Sequence, residues 1–312
     1  MKTGGGIGLG AETPRMVHRG DTAHRRNTPL QVDARYATLH LHTAAAGQPL
    51  LFGITMKKLF TQDYLVEKNF LSAELCQRWE KKVFSRPDIF GPDVNPAYGQ
   101  MAAFYGMIES GLNESYYRYA EKHNHYLQTE FPEVNEIITD VGAKILHKSG
   151  IKAGSLPVVP RDPKYFLIAG FNLQIKTWTL YNIHTDTEGL LQYPESIFNP
   201  DTRAYSAVIS IKRTAQYVTE RGGDLDIWKK RYLADELEQF YKADGYRAKS
   251  KALREKVPYD VGNLVIFDSF MPHVVLPFKV KKKADRRISF VIHFNYRKHT
   301  ERNPFPHLEY WY

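Results

Sequence analysis

Tyr181-Asn182-Ile183-His184-Thr185-Asp186 is the stretch on which the reading of this chain turns. Leu180 to His184 is β-prone, and side chains two apart on a strand leave the same face. His184 and Asp186 therefore offer an imidazole and a carboxylate side by side. Such a pair arises by chance in many proteins, so the context has to sharpen it. Asn263 to Asp268 reads as a strand, Phe270-Met271-Pro272 as a turn, and His273 follows, 87 positions after Asp186. Arg286-Arg287-Ile288-Ser289-Phe290-Val291-Ile292-His293-Phe294 is a further strand. In it Arg287 and Ser289 share one face, while Arg286, Ile288 and Phe290 share the other.

Two neutral imidazoles and one carboxylate hold a divalent metal and leave coordination positions open, the donor set suited to a non-haem Fe(II) that handles dioxygen. A planar guanidinium at Arg287, with the Ser289 hydroxyl beside it, suits bidentate capture of a carboxylate near that ion. The alternative is a set of polar residues on unrelated strands.

Taken in order, Tyr181-x-x-His184-x-Asp186, Gly222-Gly223-Asp224-Leu225, Pro272-His273 and Arg287-x-Ser289 resemble the 2-oxoglutarate/Fe(II) dioxygenase superfamily, most closely its prolyl-hydroxylase-like branch. The resemblance covers residues 165–297, less than half of the chain. It implies a double-stranded β-helix, or jelly roll, with His184, Asp186 and His273 as the catalytic iron ligands. It also implies 2-oxoglutarate and O2 as co-substrates, the former decarboxylated to succinate as an unactivated C–H bond is oxidised. Arg287 and Ser289 are then expected at the distal carboxylate of 2-oxoglutarate, with Tyr181 close by. Asn172, Gln174 and Lys176 alternate with Phe171, Leu173 and Ile175, so one polar face either lines the pocket or meets water. From it Gln174 is expected at the co-substrate and Asn172 at the substrate, together with Asn182 and Trp228. His293 reads more simply as a core histidine.

Related halogenases carry a small residue where Asp186 stands, which argues against halogenation. Nucleic-acid demethylases of the superfamily show a second arginine six residues after the first, a position held here by His293, so nucleic acid is not the expected partner. The expected function is hydroxylation of a small molecule, an amino acid or natural-product intermediate. The alternatives are a protein prolyl hydroxylase and a non-catalytic metal-binding jelly roll.

The chain has 312 residues and a formal charge of +9. The charge favours anionic partners without selecting one. No apolar run approaches the roughly 18 residues of a membrane span. Cys76 is the only cysteine, so no intrachain disulfide forms, which fits a reducing, cytoplasmic setting. Residues 1–55 differ from the rest. Lys2, Arg15, Arg19, Arg25, Arg26 and Arg35 stand against Glu12, Asp21 and Asp33, with Gly4-Gly5-Gly6 among them. A transit peptide lacks a convincing amphipathic helix here. A disordered leader or a mis-set start before Met56 is the expectation.

One dioxygenase domain is expected over 56–312, with helical support at 56–160 and a β-core at 161–300. Ser72 can cap a helix through Trp79. Pro132 opens another, along which Val134, Ile137, Ile138, Val141 and Ile145 repeat at helical spacing, and Gly150 ends it. Tyr116, Tyr117 and Tyr119 belong to a further helix. Strands dominate from 165, interrupted by a helical insertion at 233–243 that continues as a charged stretch to Lys256. Helices first and strands later predict an α+β fold with the helices packed outside the β-core.

Overall fold

The computed structural model describes residues 64–85, 99–101, 113–152, 154–161, 167–174, 177, 183–186, 203–213, 223–231, 254–278, 280–282, 285–297 and 305–311. All of them belong to the compact unit Ile54–Tyr312. The expectations for residues 1–55 and for the insertion at 233–243 lie outside the described residues.

Helix α1 (Ala73–Ser85) begins where Ser72 predicts it, the Ser72 hydroxyl accepting the Leu75 N–H at 3.2 Å. It buries Cys76, Trp79 and Val83, one helical stripe. Helix α2 runs over Asn113–Glu130 and α3 over Val134–Lys148. The buried face of α3 contains all five apolar positions named from the sequence, with Gly142 and Leu146 added. Gly150 ends it with φ 76°, a left-handed conformation that costs glycine least. No helix among the described residues is long and apolar enough to cross a membrane.

The strands are β1 (Tyr64–Glu67), β2 (Gly99–Met101), β3 (Val158–Pro160), β4 (Gly170–Gln174), β5 (Ala204–Arg213), β6 (Leu225–Trp228), β7 (Arg254–Val257), β8 (Leu264–Asp268), β9 (His273–Val275), β10 (Arg287–Arg297) and β11 (His307–Trp311). A large sheet runs β1-β8-β5-β10-β11-β3, with β4 joining β10 beside β11 and β2 pairing β4. A small sheet runs β7-β6-β9, and an isolated antiparallel bridge adds His184 at the β9 edge. From β4 to β10 the chain alternates between the sheets: β4 in the large one, the His184 bridge in the small, β5 large, β6 and β7 small, β8 large, β9 small, β10 large.

The outcome is a mixed fold of helices and sheets, and the sequence reading needs two corrections. Arg254–Val257, expected as the tail of a charged insertion, is β7 on the edge of the small sheet, an edge being where alternating charge is tolerated. The large sheet also recruits β1, β2, β3 and β11 from outside residues 161–300, because β8, β4, β11 and β10 would otherwise leave ladder groups unpaired.

The two faces of β10 have different neighbours. Ile288, Phe290, Ile292 and Phe294 enter a core shared with the helices. There the Trp79 ring meets Phe131, Phe171 and Phe290 edge-on, at centroid distances of 5.4, 5.5 and 5.2 Å. On the other face, Val291 packs with Val208, Leu225, Ile227, Val265 and Phe267, which come from both sheets. Polar residues on this second face therefore look into the space between the sheets.

Candidate active site

His184 and His273 are held by one rung of backbone ladder. The His184 N–H donates to the His273 carbonyl at 3.0 Å, and the reverse bond is 2.8 Å. Bridged residues share a face, and the imidazole centroids lie 4.3 Å apart. Asp186, two residues on, is fixed by its N–H donating to the Ser269 carbonyl at 2.9 Å. Its Oδ1 lies 3.8 Å from His184 Nε2 and 3.5 Å from His273 Nε2. One donor atom from each of the three residues falls within 4.8 Å of the other two, the grouping needed around a single cation.

The donor chemistry fits a metal. His273 Nδ1 faces the Met271 carbonyl at 3.2 Å, and an acceptor there requires Nδ1–H, which leaves the Nε2 lone pair for the ion. Burial raises the Asp186 carboxyl pKa, but His273, His293 and His184 outweigh it and hold the group well below the usual carboxylate range. Asp186 is thus an anionic donor at neutral pH.

Arg287 lies on the inter-sheet face and is only 4% exposed. Its Nε donates to the Gly223 carbonyl at 3.1 Å, and its Nη1 reaches Ser289 Oγ at 3.3 Å and Gln174 Oε1 at 3.5 Å. The guanidinium carbon stands 4.9 Å from the Tyr259 ring centroid. No carboxylate pairs with Arg287 among the described residues. Gly223, at φ 74°, allows this approach, since a Cβ there would come within 3.3 Å of the Arg287 stem. The neighbouring Arg286 turns to the helices, its Nε 3.1 Å from a Glu80 carboxylate oxygen and its guanidinium 3.9 Å from the Phe84 ring centroid.

Register places Gln174 opposite Arg287, and Asn172 and Ser210 opposite Ser289. Gln174 is buried with its Nε2 lacking a hydrogen-bond partner, while Asn172 is half-buried. Tyr181 and Asn182 lie outside the described residues. Trp228 is not brought to the metal ligands. Ile227, opposite His273, faces the inter-sheet core, so Trp228 takes the other face with Val274, Leu276 and Ile183. Tyr259 and Ser210 were not singled out in the sequence. The Ser210 hydroxyl is buried beside Ser289 without a hydrogen-bond partner, and the buried Tyr259 hydroxyl lies against the Ser289 side chain. Strand parity flags Ser210 only once its pairing with β10 is known, and nothing local flags Tyr259.

No protein-family model matches the chain, and no curated protein matches it. Solved structures similar to it include an N-substituted L-amino acid dioxygenase in complex with alpha-KG from Burkholderia ambifaria AMMD. That similarity is 15% identity with a TM-score of 0.48, covering 79% of this chain and 86% of that one. EvdO2 from Micromonospora carbonacea var. aurantiaca, complexed with 2-oxoglutarate, gives 11% identity and a TM-score of 0.42 over 75% of this chain and 86% of that one. A prolyl-4-hydroxylase from Pseudomonas putida gives 20% identity and a TM-score of 0.35 over 74% and 91%.

Proposed function

We propose that the protein is an Fe(II)- and 2-oxoglutarate-dependent oxygenase that hydroxylates a C–H bond of a small molecule, an amino acid or natural-product intermediate. The observation that carries this reading is a juxtaposition. Three donors of the type and grouping for Fe(II) gather at the β9 edge of the small sheet, while β10 of the large sheet carries a buried arginine with no acid partner among the described residues. The alternation of strands between two sheets supports a double-stranded β-helix closing around that space.

His184, Asp186 and His273 would hold the iron, with His273 fixed in the Nε2-binding tautomer by Met271. Bound iron supplies the oxygen chemistry. The protein's own residues bind, orient and exclude. Arg287 anchors the distal carboxylate of 2-oxoglutarate, with Ser289, Tyr259 and Gln174 presenting polar groups around it. Val291, Val208, Phe267 and Leu225 keep the space between the sheets dry, which strengthens the charge pairing.

The test is anaerobic reconstitution of the full chain with Fe(II) and 2-oxoglutarate, then a screen of amino acids under oxygen for succinate and hydroxylated product. Iron-dependent succinate formation is expected. Metal binding without any 2-oxoglutarate turnover would favour a non-catalytic jelly roll instead.

A further inference from the structure

The inter-sheet face of β10 continues past the metal ligands. After Arg287, Ser289 and Val291 come His293 and Asn295. His293 is tied to the ligand set through side chains: its Nδ1 lies 3.1 Å from Ser206 Oγ, which lies 2.9 Å from Ser269 Oγ, and the Ser269 carbonyl accepts the Asp186 N–H. Across the ladder, Trp311 is opposite His293 and Glu309 is opposite Asn295. Their neighbours Leu308 and Tyr310 belong to the helix-side core, so Glu309 and Trp311 share the face of Asn295 and His293. The His293 and Trp311 ring centroids are 6.0 Å apart.

This patch holds two unmatched acceptors. Asn295 is 1% and Glu309 8% exposed, and neither Asn295 Oδ1 nor Glu309 Oε2 has a hydrogen-bond partner. Arg161 lies near, but its guanidinium sits 5.2 Å from the Trp311 ring centroid, and no ion pair joins it to Glu309 among the described residues. Buried acceptors without donors are unfavourable, and a carboxylate more so. The group that satisfies both is an ammonium: three N–H donors and a positive charge.

We infer that Glu309 and Asn295 anchor the substrate of the proposed oxygenase through a protonated amine, so that the substrate class is a free-amine compound. The inference rests on the oxygenase reading. Along β10 His293 lies two residues before Asn295, and through Ser206 and Ser269 it links this anchor to the ligand set.

The test uses the full chain under anaerobic conditions with Fe(II) and 2-oxoglutarate. The probes are the proteinogenic amino acids, n-butylamine and putrescine, each beside its N-acetyl derivative. Tryptophan fluorescence reads binding, and succinate release after admitting oxygen reads turnover. At least one free amine should bind about tenfold or more tightly than its acetylated partner, as expected for a charge-assisted hydrogen bond. Glu309→Gln should abolish that preference, with folding checked by near-ultraviolet circular dichroism. Asn295→Leu should reduce it and serves as the second variant if Glu309→Gln does not fold. Equal binding of amines and amides, binding of no amine, or a preference that survives both substitutions would overturn the inference and assign the acceptors to ordered water. Failure of the oxygenase reading looks different: no iron-dependent succinate, with the amine preference still present in fluorescence.

Discussion

Replacing Arg287 by alanine tests the proposed co-substrate pocket separately from the metal ligands. In the free protein the guanidinium spends Nε on the Gly223 carbonyl, and its Nη1 contacts with Ser289 and Gln174 are long, at 3.3 and 3.5 Å. The outer edge of the fork is therefore available for a carboxylate. Truncating one partner of a buried, hydrogen-bonded charge pair costs about 2–5 kcal/mol. At 1.4 kcal/mol per tenfold this weakens 2-oxoglutarate by roughly 30- to 4,000-fold. Arg287→Lys keeps the charge without the fork and should fall between alanine and the native residue. Arg286→Ala is the control, because Arg286 serves an ion pair with Glu80 and the Phe84 ring on the helix side. That variant should lose at most about 1 kcal/mol of stability and little affinity. The assay is anaerobic titration of 2-oxoglutarate into Fe(II)-loaded protein, followed by visible charge-transfer absorbance. A loss below about threefold in Arg287→Ala, or a larger loss in Arg286→Ala, would refute the assignment of the pocket.

His184→Ala and His273→Ala should each abolish stoichiometric Fe(II) binding and succinate release, and full activity in both would remove the metal assignment. Trp79→Ala deletes a ring that joins α1 to β4 and β10, and should destabilise the fold by about 3–5 kcal/mol in chemical denaturation. Burial lowers the His123 pKa to about 3, whereas the unfolded chain protonates near 6.5. Between those values the unfolded state binds the extra proton, so stability should fall with falling pH. From pH 7 to 5 the drop due to this residue is about 2 kcal/mol, and denaturation of His123→Leu at both pH values should show it removed. Deleting residues 1–55, which lack apolar periodicity, should leave folding and turnover intact, as read by circular dichroism and succinate assay.

The local patterns were the legible part. Parity along one strand places Arg286 and Arg287 on opposite faces, and the contacts with Glu80 and Gly223 lie on those two sides. The same parity joins His184 to Asp186, and helical spacing gives the buried face of α3. Cross-strand register was not legible, because it is fixed by pairing between segments far apart in the chain. Trp228 therefore looked plausible for the substrate until its strand was paired to β9, which turned it to the other face. Ser210, Asn295 and Glu309 acquire meaning only from their partners Ser289, Glu309 and Asn295. β7 was hidden by its charges, which suit a sheet edge as well as a solvated insertion.

The bridge between His184 and His273 also sets a timetable. A ribosome that has just made Asp186 has produced only two of the three donors. At about 5–20 residues per second, the third follows roughly 4–17 s later. β10 is made later still, and it pairs with β4 and β5 to join the large sheet. A growing chain thus carries at most a weak two-donor site through most of its synthesis. At the proposed iron site, capture at full strength begins only when the last strands close, so metal loading falls to the finished protein, and a stalled or truncated chain ending before His273 takes little iron from the cell.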